Sequence, residues 1–348
     1  MRVAILIPAH DEAAVIGGSV RCAQAAAPPG TPVFVVADHC TDATATRARE
    51  AGGRVYERTA DPPGKGPTIR WFLDAAADGL ADAEVLVILD ADSRPRPGAV
   101  ARLAAALDAG AGAAQGFVWP VPAGAATAGL LAAYSEWVAQ GLDDRLRRRL
   151  GWSAPLRGTG MALRLPLLRA LAPRLRTRVE DVELTLLLIA RGERIAFVPG
   201  AVIEDPKPVT AGRAARQRAR WLQGQREVWR AYGGLILRLL ASGGPGTWWL
   251  LGTLLVKPRT GVIAVKLAAC GAAAPLVMRP RGRPWLAAAL ALLAFDVGYY
   301  LVGLAVVPAE WRWPVARALV QSPRYVVMWA RALALSALAR ERWLRARE

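Results

Sequence analysis

The chain has 348 residues, more than one average domain, and its apolar residues are unevenly distributed, which predicts two unlike regions. Lys and Arg number 45 against 28 Asp and Glu, and the net charge of +17 favours anionic partners such as lipid head groups or nucleotide phosphates. Nucleic acid is not expected as a partner, because no helix-turn-helix, zinc-finger or aromatic RNA-binding motif is found. The three cysteines are widely spaced without a CxxC pair, which argues against a disulfide framework and a zinc site.

Strands and helices alternate over the first 90 residues. Apolar strands are predicted at residues 3–7, 33–36, 54–57 and 85–89, with polar loops and helices between them. This alternation predicts a parallel, doubly wound α/β sheet. Ligands bind such sheets beyond the carboxyl ends of the strands, and polar clusters follow the first, second and fourth strands. We therefore expect these clusters to form one pocket. The apolar stretch at the N-terminus is too short for a signal peptide, so we do not expect this region to be exported.

Mixed elements follow up to residue 230, where the sequence becomes more apolar and we place a domain boundary. The pattern predicts, in chain order, a strand at residues 115–121, a helix around 129–149, a loop at 153–160, a strand at 161–163, a helix from about 180, a strand at 195–198 and a basic helix at 211–229.

Long apolar runs then occupy residues 248–256, 261–278 and 285–307. The last run is long enough to span a bilayer, although Asp296 within it is costly in lipid unless it faces protein or water. Residues 311–348 mix Trp and Arg, which is typical of a helix lying along an anionic membrane surface or of an ordinary amphipathic cap. The number and orientation of membrane spans stay open.

Two carboxylates, Asp90 and Asp92, directly follow the apolar sequence VLVIL. At the carboxyl edge of a sheet such a pair can hold a divalent cation and, through it, a diphosphate. Solvated aspartates at a strand end are the alternative explanation.

A second acidic pair, Glu180 and Asp181, opens a predicted helix, where a carboxylate can take the proton from an acceptor hydroxyl. Helix N-termini also favour acidic residues for electrostatic reasons alone. Further on, Gln217, Arg220 and Trp221 lie in a basic helix, with side chains suited to hydroxyls, phosphate and a sugar ring. A basic helix resting on lipid head groups would have a similar composition.

These motifs belong to a set of seven that resembles the inverting family-2 glycosyltransferases, particularly the bacterial, membrane-bound, cellulose-synthase-like and exopolysaccharide branch. The set consists of IPAHDE at 7–12, VVADHCTDAT at 35–44, PGKG at 63–66, LDADS at 89–93, GTGMALR at 158–164, EDVEL at 180–184 and QRARW at 217–221. With the apolar segments that follow, the resemblance covers nearly the whole chain.

The resemblance implies a GT-A nucleotide-diphospho-sugar transferase fold at residues 1–230, on the cytoplasmic side of the bacterial inner membrane. An α-helical membrane region, with interfacial and transmembrane helices, is implied at residues 231–348. The expected partners are a nucleotide-sugar donor, a glycan or lipid-linked hydroxyl acceptor, membrane lipids and subunits for polysaccharide synthesis or export. The expected cofactor is Mg²⁺ or Mn²⁺.

The resemblance also assigns site residues. Pro8, Ala9 and Glu12 border the nucleotide, Asp38 approaches its base, and Lys65 lies near the base or phosphate. Asp90 and Asp92 face ribose, diphosphate and the metal ion, with Asp181 as general base beside Glu180. Acceptor and diphosphate are held by the acceptor loop at residues 158–160 and by the QxxRW motif, that is by Gly158, Thr159, Gly160, Gln217, Arg220 and Trp221.

Three positions depart from the family pattern. Ala37 stands where many relatives have the first of two aspartates, Asp11 where they have asparagine, and Pro63 where they often have arginine. These differences leave the identity of the nucleotide base open, with UDP expected.

Three other functions share part of this pattern. A nucleotidyltransferase would share the sheet and the paired aspartates but needs a glycine-rich phosphate loop, which IPAHDEAAVIGG matches poorly. A non-catalytic membrane subunit of a polysaccharide-synthesis complex would keep the fold without activity. A channel component is disfavoured, because the apolar segments are too few to enclose a polymer.

Overall fold

One mixed sheet forms the centre of the molecule in a computed structural model that describes residues 1–122, 124, 127–207, 211–256 and 283–321. Its strands are β1 (Val3–Ala9), β2 (Val33–Asp38), β3 (Arg54–Arg58), β4 (Val85–Ile88), β5 (Arg94–Pro95), β6 (Ala113–Val121), β7 (Met161–Arg164) and β8 (Ile195–Pro206). They lie in the order β3-β2-β1-β4-β7-β6-β8-β5.

Helices cover both faces of the sheet. Within the described residues they are α1 (Ile16–Ala26), α2 (Thr44–Glu50), α3 (Lys65–Ala75), α4 (Ala99–Asp108), α5 (Thr127–Val138), a π-helical turn (Ala139–Asp144), α6 (Arg145–Arg149), α7 (Leu165–Leu171), α8 (Glu180–Ala190), α9 (Ala211–Ser242), α10 (Pro245–Leu255), α11 (Arg283–Gly303) and α12 (Ala309–Val320).

Strand β1 shows how the sheet separates two apolar cores. Its side chains alternate, so that Ile5 and Ile7 face α1 and α4 whereas Leu6 faces α3, α7 and α8. Both sets are fully buried. Burial on both faces explains why the strand is continuously apolar.

The predicted sheet, doubly wound and mostly parallel, is parallel over its first four strands but mixed as a whole. Strands β3, β2, β1 and β4 are parallel neighbours, as the alternation of strands and helices predicted. Strand β7, however, lies between β4 and β6 and runs antiparallel to both. Strands and helices continue to alternate after α4, so the alternation alone did not indicate this insertion, which depends on how β7 pairs in the folded sheet.

Two element boundaries also differ from the sequence prediction. The strand predicted at residues 195–198 continues to Pro206, because a register shift between Gly116 and Phe117 of β6 accommodates the extra residues of β8. The helix predicted around residues 129–149 is divided by the π-helical turn into α5 and α6.

The last helices pack onto the α/β body. Leu250 of α10 and Val228 of α9 share a buried cluster with Leu186 of α8, and Val315 of α12 packs with Trp137 of α5. The boundary predicted at residue 230 falls inside the continuous helix α9.

Within the described residues, no helix combines the length and the apolarity needed to cross a bilayer, so the transmembrane span predicted at residues 285–307 is not supported. Helix α11 ends at Gly303, four residues before the predicted end. The apolar run at residues 261–278 and residues 322–348 of the final stretch lie outside the described residues.

Candidate active site

The carboxyl ends of β1, β2 and β4 meet at one edge of the sheet. Ala9 at the end of β1 pairs with Ala37 of β2, and Leu6 of β1 pairs with Ile88 at the end of β4. The polar clusters that follow these strands therefore lie side by side, as the parallel topology predicted.

Hydrogen bonds tie the loop after β1 to the loop after β2. The carboxylate of Asp11 accepts the backbone N–H of Thr41 at 2.7 Å, and the N–H of Glu12 donates to Thr44 Oγ1 at 2.7 Å. Asp11 and His39 adopt left-handed backbone conformations, with φ of 51° and 53°, so both loops turn sharply. Pro8 and Ala9 lie at the base of these turns, with Ala9 buried.

Asp38 is buried, and protein groups surround its carboxylate. It accepts hydrogen bonds from Arg58 Nη1 at 2.5 Å and from the N–H of Gly64 at 3.0 Å, and His39 Nδ1 lies 2.9 Å from Oδ1. Burial alone raises the pKa of Asp38, but these hydrogen bonds outweigh burial and hold the pKa below its usual value. Asp38 thus fixes the loops around the predicted base site, and its contact with the base stays a prediction.

Lys65, at the first turn of α3, joins three predicted motifs. Its Nζ donates to Asp90 Oδ1 at 2.5 Å and to the carbonyl oxygen of Gly158 at 2.7 Å, and lies 3.3 Å from Glu180 Oε1. Burial alone lowers the pKa of Lys65, but the charges of Asp90 and Glu180 outweigh burial and raise it. One ammonium group therefore holds together the acceptor loop, the start of α8 and the sequence Asp90-Ala91-Asp92, called the DAD motif below.

The two acidic residues that begin α8 lie in different surroundings. The carboxylate of Glu180 is buried, and burial raises its pKa to about 7, against the opposing charge of Lys65. Asp181 is half-buried, and its Oδ1 accepts the N–H of Val182 at 2.9 Å. A Cβ added at Gly158 would lie 3.9 Å from Glu180 Oε1 and 4.0 Å from Asp181 Oδ2, so both carboxylates border the acceptor loop.

Two residues of α8 that the sequence analysis did not single out hold this helix in place. Glu183 Oε1 accepts the backbone N–H groups of Arg176 and Thr177 at 2.8 and 3.0 Å. Thr185 Oγ1 accepts the N–H of Leu156 at 3.0 Å and donates to the carbonyl oxygen of Asp181 at 2.7 Å. Glu183 lies within the EDVEL motif, and this acidic residue one turn into α8 was the signal that could have identified it.

The acceptor loop needs its glycines. Gly158 and Gly160 have φ of 83° and 64°, a region that other residues rarely adopt. A Cβ added at Gly160 would lie 2.8 Å from Ile203 Cδ1. Between them, Thr159 Oγ1 accepts the backbone N–H of Asp90 at 3.1 Å and lies 2.8 Å from Ser93 Oγ, which fixes the loop beside the DAD motif.

Asp92 lies in a region of concentrated negative charge. Its pKa is raised to about 7, first by burial and then by the nearby carboxylates of Asp205 and Asp90. Asp205, at the end of β8, pairs with Lys207 at 2.5 Å, and Lys207 pairs with Glu136 at 2.6 Å. Carboxylates that repel one another in this way match the chemistry of a divalent cation, which would neutralise them.

A different acidic group has the most compact arrangement of potential metal ligands. In the described part of the chain, Asp11, Cys40 and Asp42 have ligand atoms within 4.8 Å of one another. Asp42 accepts the N–H groups of Ala13 and Thr44, and Asp11 accepts that of Thr41. These carboxylates stabilise the two loops, and nothing besides their proximity points to an ion.

The QxxRW motif approaches the same site from α9. Burial lowers the pKa of Arg220, and the nearby negative charges of Asp90 and Glu180 offset part of that decrease. Arg220 therefore lies within electrostatic reach of both acidic motifs. Trp221 is 40% exposed, and the side chain of Gln217 lies outside the described residues.

The predicted site residues thus form two connected groups in the described structure. Lys65 contacts Asp90, Gly158 and Glu180, Asp181 borders the same glycine, and the charges of Asp90 and Glu180 act on Arg220. Asp92 lies close enough to Asp90 for the charge of Asp90 to raise its pKa. Asp38 and Glu12 lie in the loops of the neighbouring strands. Asp205, Lys207 and Glu136 were missed by the sequence analysis, because no motif marked them.

Sequence comparisons agree with the family that the motifs indicated. Residues 1–224 match the family model described as glycosyltransferase like family 2. The probable glycosyltransferase YdaM of Bacillus subtilis (strain 168) is 29% identical over 248 residues, which cover 65% of this chain and 56% of that protein. The chain therefore spans little more than half the length of this curated relative.

A solved structure shares the fold. The mannosyltransferase PcManGT from Pyrobaculum calidifontis, in complex with GDP-Man and Mn²⁺, aligns with a TM-score of 0.56 and 19% identity over 97% of this chain and 86% of that chain. Glucosyl-3-phosphoglycerate synthase from Mycobacterium tuberculosis, in complex with Mn²⁺, UDP and phosphoglyceric acid, is 26% identical over 58% of this chain and 69% of that chain, with a TM-score of only 0.41. The fold is GT-A-like, with a mixed sheet, and the match of the family model to well over half of the chain shows that the protein belongs to the glycosyltransferase like family 2.

Proposed function

We propose that this protein transfers a sugar from a nucleotide-sugar donor to a hydroxyl group of a glycan or lipid-linked acceptor, with inversion at the anomeric carbon. The observation that carries the proposal is the position of Lys65, whose ammonium contacts Asp90, Gly158 and Glu180. One ammonium group thereby brings together Asp90, the acceptor loop and the carboxylate pair that begins α8. The donor is a nucleoside diphosphate sugar, with UDP as the expected nucleotide.

The general base in this proposal is Asp181. It is half-buried and borders the acceptor loop, whereas Glu180 is buried and paired with Lys65. Asp181 takes the proton of the acceptor hydroxyl while the hydroxyl oxygen forms a bond to the anomeric carbon. The bond between that carbon and the diphosphate oxygen breaks on the opposite face, and no covalent sugar–enzyme intermediate forms.

Positive side chains stabilise the departing diphosphate. Arg220 lies within electrostatic reach of Asp90 and Glu180, and Lys65 contacts both. In partly buried surroundings such charges stabilise the developing negative charge more strongly than they would in water. Glu180 holds Lys65 in place and is a positioning residue.

A divalent cation, Mg²⁺ or Mn²⁺, is proposed at Asp92 and Asp90. The mutual repulsion of Asp92, Asp90 and Asp205 supports this assignment, and PcManGT is described in complex with Mn²⁺. When bound, the cation would neutralise charge on the diphosphate of the donor.

We further propose membrane attachment, in the cellulose-synthase-like and exopolysaccharide branch, at the bacterial cytoplasmic membrane with residues 1–230 on the cytoplasmic side. Lipids, and subunits for polysaccharide synthesis or export, are the proposed partners. The exposed apolar surface of α11 supports attachment, with Phe295 71% exposed and Leu301 61% exposed. Flotation of the full-length protein with phosphatidylglycerol vesicles tests it, and protein that stays at the bottom of the gradient contradicts it.

A non-catalytic subunit of a polysaccharide-synthesis complex is the second candidate. Its supporting observation is that Lys65 already neutralises Asp90 and Glu180. A sugar nucleotidyltransferase is a weaker candidate, because the loop after β1 contains acidic residues and no glycine-rich phosphate loop.

The decisive experiment incubates purified protein and membranes with a panel of radiolabelled UDP-, GDP- and dTDP-sugars in the presence of Mn²⁺. Label in a lipid or polymer fraction, absent with Asp181→Asn, supports the proposed transfer. No transfer and no hydrolysis of any donor, with folded protein, would favour the non-catalytic subunit. Pyrophosphate formation from a nucleoside triphosphate and a sugar phosphate would favour the nucleotidyltransferase.

A further inference from the structure

A buried amide contacts the acceptor loop and the residue that precedes it. Gln115 of β6 donates from Nε2 to the carbonyl oxygen of Thr159 at 2.9 Å and accepts the backbone N–H of Arg157 at Oε1, also at 2.9 Å. Gln115 is fully buried. The conformation of residues 158–160 therefore depends on where Arg157 is held.

The side chain of Arg157 is held by a buried ion cluster. Its Nη2 donates to Asp144 Oδ2, and the other oxygen of Asp144 accepts Arg147 Nη1 at 3.0 Å. Asp144 and Arg147 are fully buried. Asp144 is the last residue of the π-helical turn, a type of helix irregularity that is frequent at functional sites.

Arg147 continues this chain of contacts to α10, a helix that contains no predicted site residue. Its Nη2 donates to Thr253 Oγ1 at 2.7 Å and to the carbonyl oxygen of Trp249 at 3.1 Å. The guanidinium carbon also lies 5.0 Å from the centre of the Trp249 ring. Contacts thus run without a gap from Thr159 through Gln115, Arg157, Asp144 and Arg147 to α10.

Stability alone is a poor explanation for this arrangement. Taking charges out of water is costly, and buried ion pairs can often be replaced by apolar side chains without loss of stability. What a buried network of this kind supplies is one defined geometry, because each member has a fixed partner. The geometry fixed here is that of the acceptor loop relative to α10.

We propose that Asp144, Arg147 and Arg157 are positioning residues that keep the acceptor loop in register with α10, so that sugar transfer depends on a helix that does not touch the reacting atoms. The effect on transfer rests on the proposed function. The mechanical link between α10 and the loop does not, and the two can be tested separately.

The link is tested by hydrogen–deuterium exchange of residues 153–161 in the full-length protein. Thr253→Val removes one hydrogen-bond partner of Arg147 with little change in volume, and Arg147→Met removes the whole charge. We expect exchange to be about tenfold faster with Arg147→Met and about threefold faster with Thr253→Val. The stability lost with one charge-assisted hydrogen bond is large enough to account for increases in exchange rate of about this size. Equal protection of residues 153–161 in wild type and Thr253→Val would overturn the proposal.

Two controls separate the link from general damage. Arg148→Met changes an exposed arginine of the same short helix and should leave exchange unchanged. Exchange in β1 and β2 should also be unchanged in every variant, and faster exchange there would overturn the proposal by showing global destabilisation. If Arg147→Met does not fold, Thr253→Val and Arg147→Lys carry the test.

Binding of UDP in the presence of Mn²⁺, measured by calorimetry, separates the two proposals. We expect Thr253→Val to bind UDP as wild type does, within twofold, while its transfer to acceptor falls about threefold. Weaker UDP binding with unchanged exchange would contradict positioning of the acceptor loop. If wild type binds no nucleotide, the proposed function fails, while the exchange result still decides the link.

Discussion

At the scale of single residues, the neighbouring carboxylates of Glu180 and Asp181 lie in different surroundings, and we propose different roles for them. Glu180 is buried against Lys65 and has a pKa of about 7, whereas Asp181 is half-buried beside the acceptor loop. Accessibility to an acceptor hydroxyl favours Asp181 as the base. Contact with Lys65 favours Glu180 as the residue that positions the ammonium group of Lys65.

Substitution of these two residues should have distinct effects. Asp181→Asn keeps the shape of the site but removes the base, so we expect donor binding to be unchanged and transfer to fall about 10²- to 10⁴-fold. Glu180→Gln keeps the base and should lower transfer less. Equal turnover by Asp181→Asn and wild type, measured as release of nucleoside diphosphate, would show that Asp181 is not the base.

The raised pKa of Asp92 predicts how stability depends on pH. Asp92 titrates at about 7 in the folded protein and near its ordinary 3.8 in the unfolded chain. Between these values the folded state binds a proton that the unfolded state has lost, so stability should fall as the pH rises from about 4 through 7. We expect wild type to lose about 2–4 °C more in Tm than Asp92→Asn between pH 5 and pH 8.

The same residue predicts a metal effect. At pH 8, Mn²⁺ should raise the Tm of wild type but not that of Asp92→Asn, and calorimetry should show weaker Mn²⁺-dependent donor binding by Asp92→Ala. If wild type and Asp92→Asn showed the same dependence of Tm on pH and the same change in Tm with Mn²⁺, the proposed cation site would be contradicted.

The sequence showed which residues carry charge but not which of them are neighbours. Asp90, Asp92, Glu180 and Asp181 were recognisable because they belong to motifs. Asp205 was not recognisable, because it reaches Asp92 only through the pairing of β8 with β6, after a register shift. Such a contact depends on tertiary structure and leaves no local pattern in the sequence.

At the scale of elements, the acceptor loop depends on both backbone conformation and packing. Gly160 combines a positive φ with contact to Ile203, whereas Gly151 has a φ of 70° and no atom within 4 Å of an added Cβ. Substitutions at these two glycines therefore distinguish the effect of backbone strain from that of steric overlap.

Alanine substitutions exploit this difference. Gly151→Ala should destabilise the protein by about 1 kcal/mol through its backbone conformation alone. Gly160→Ala should add about 1–3 kcal/mol from overlap with Ile203 and should also impair transfer. Urea unfolding measures both values, and equal destabilisation would show that Gly160 is not packed as described.

Element boundaries were predictable where they depend on the local sequence alone. The first four strands follow from apolar runs that end at polar loops, and they were located within one or two residues. The π-helical turn at Ala139–Asp144 and the extension of β8 to Pro206 depend on contacts with other elements. Helical periodicity cannot reveal one extra residue within a turn, so residues 129–149 were predicted as a single helix.

At the scale of the whole molecule, parallel topology places the polar loops after β1, β2 and β4 at one edge. Glu180 of α8 pairs with Lys65 there, and the charges of Asp90 and Glu180 act on Arg220 of α9. The helices after residue 230 pack onto this body through α5 and α8. Apolar composition predicted these helices, but it did not distinguish surfaces that pack against protein from those that stay exposed. The proposed membrane attachment therefore rests on α11, where large apolar side chains are exposed.

The stereochemistry of donor cleavage is the sharpest test of the proposed inverting transfer. Water can replace the acceptor, so no acceptor needs to be known: a donor with an α-linked sugar, such as UDP-glucose, is incubated with the protein and Mn²⁺, and NMR records the first anomer released. The account predicts the β-anomer, with release reduced about 10²-fold or more in Asp181→Asn. First release of the α-anomer at the same site, or unchanged release by Asp181→Asn, would contradict it.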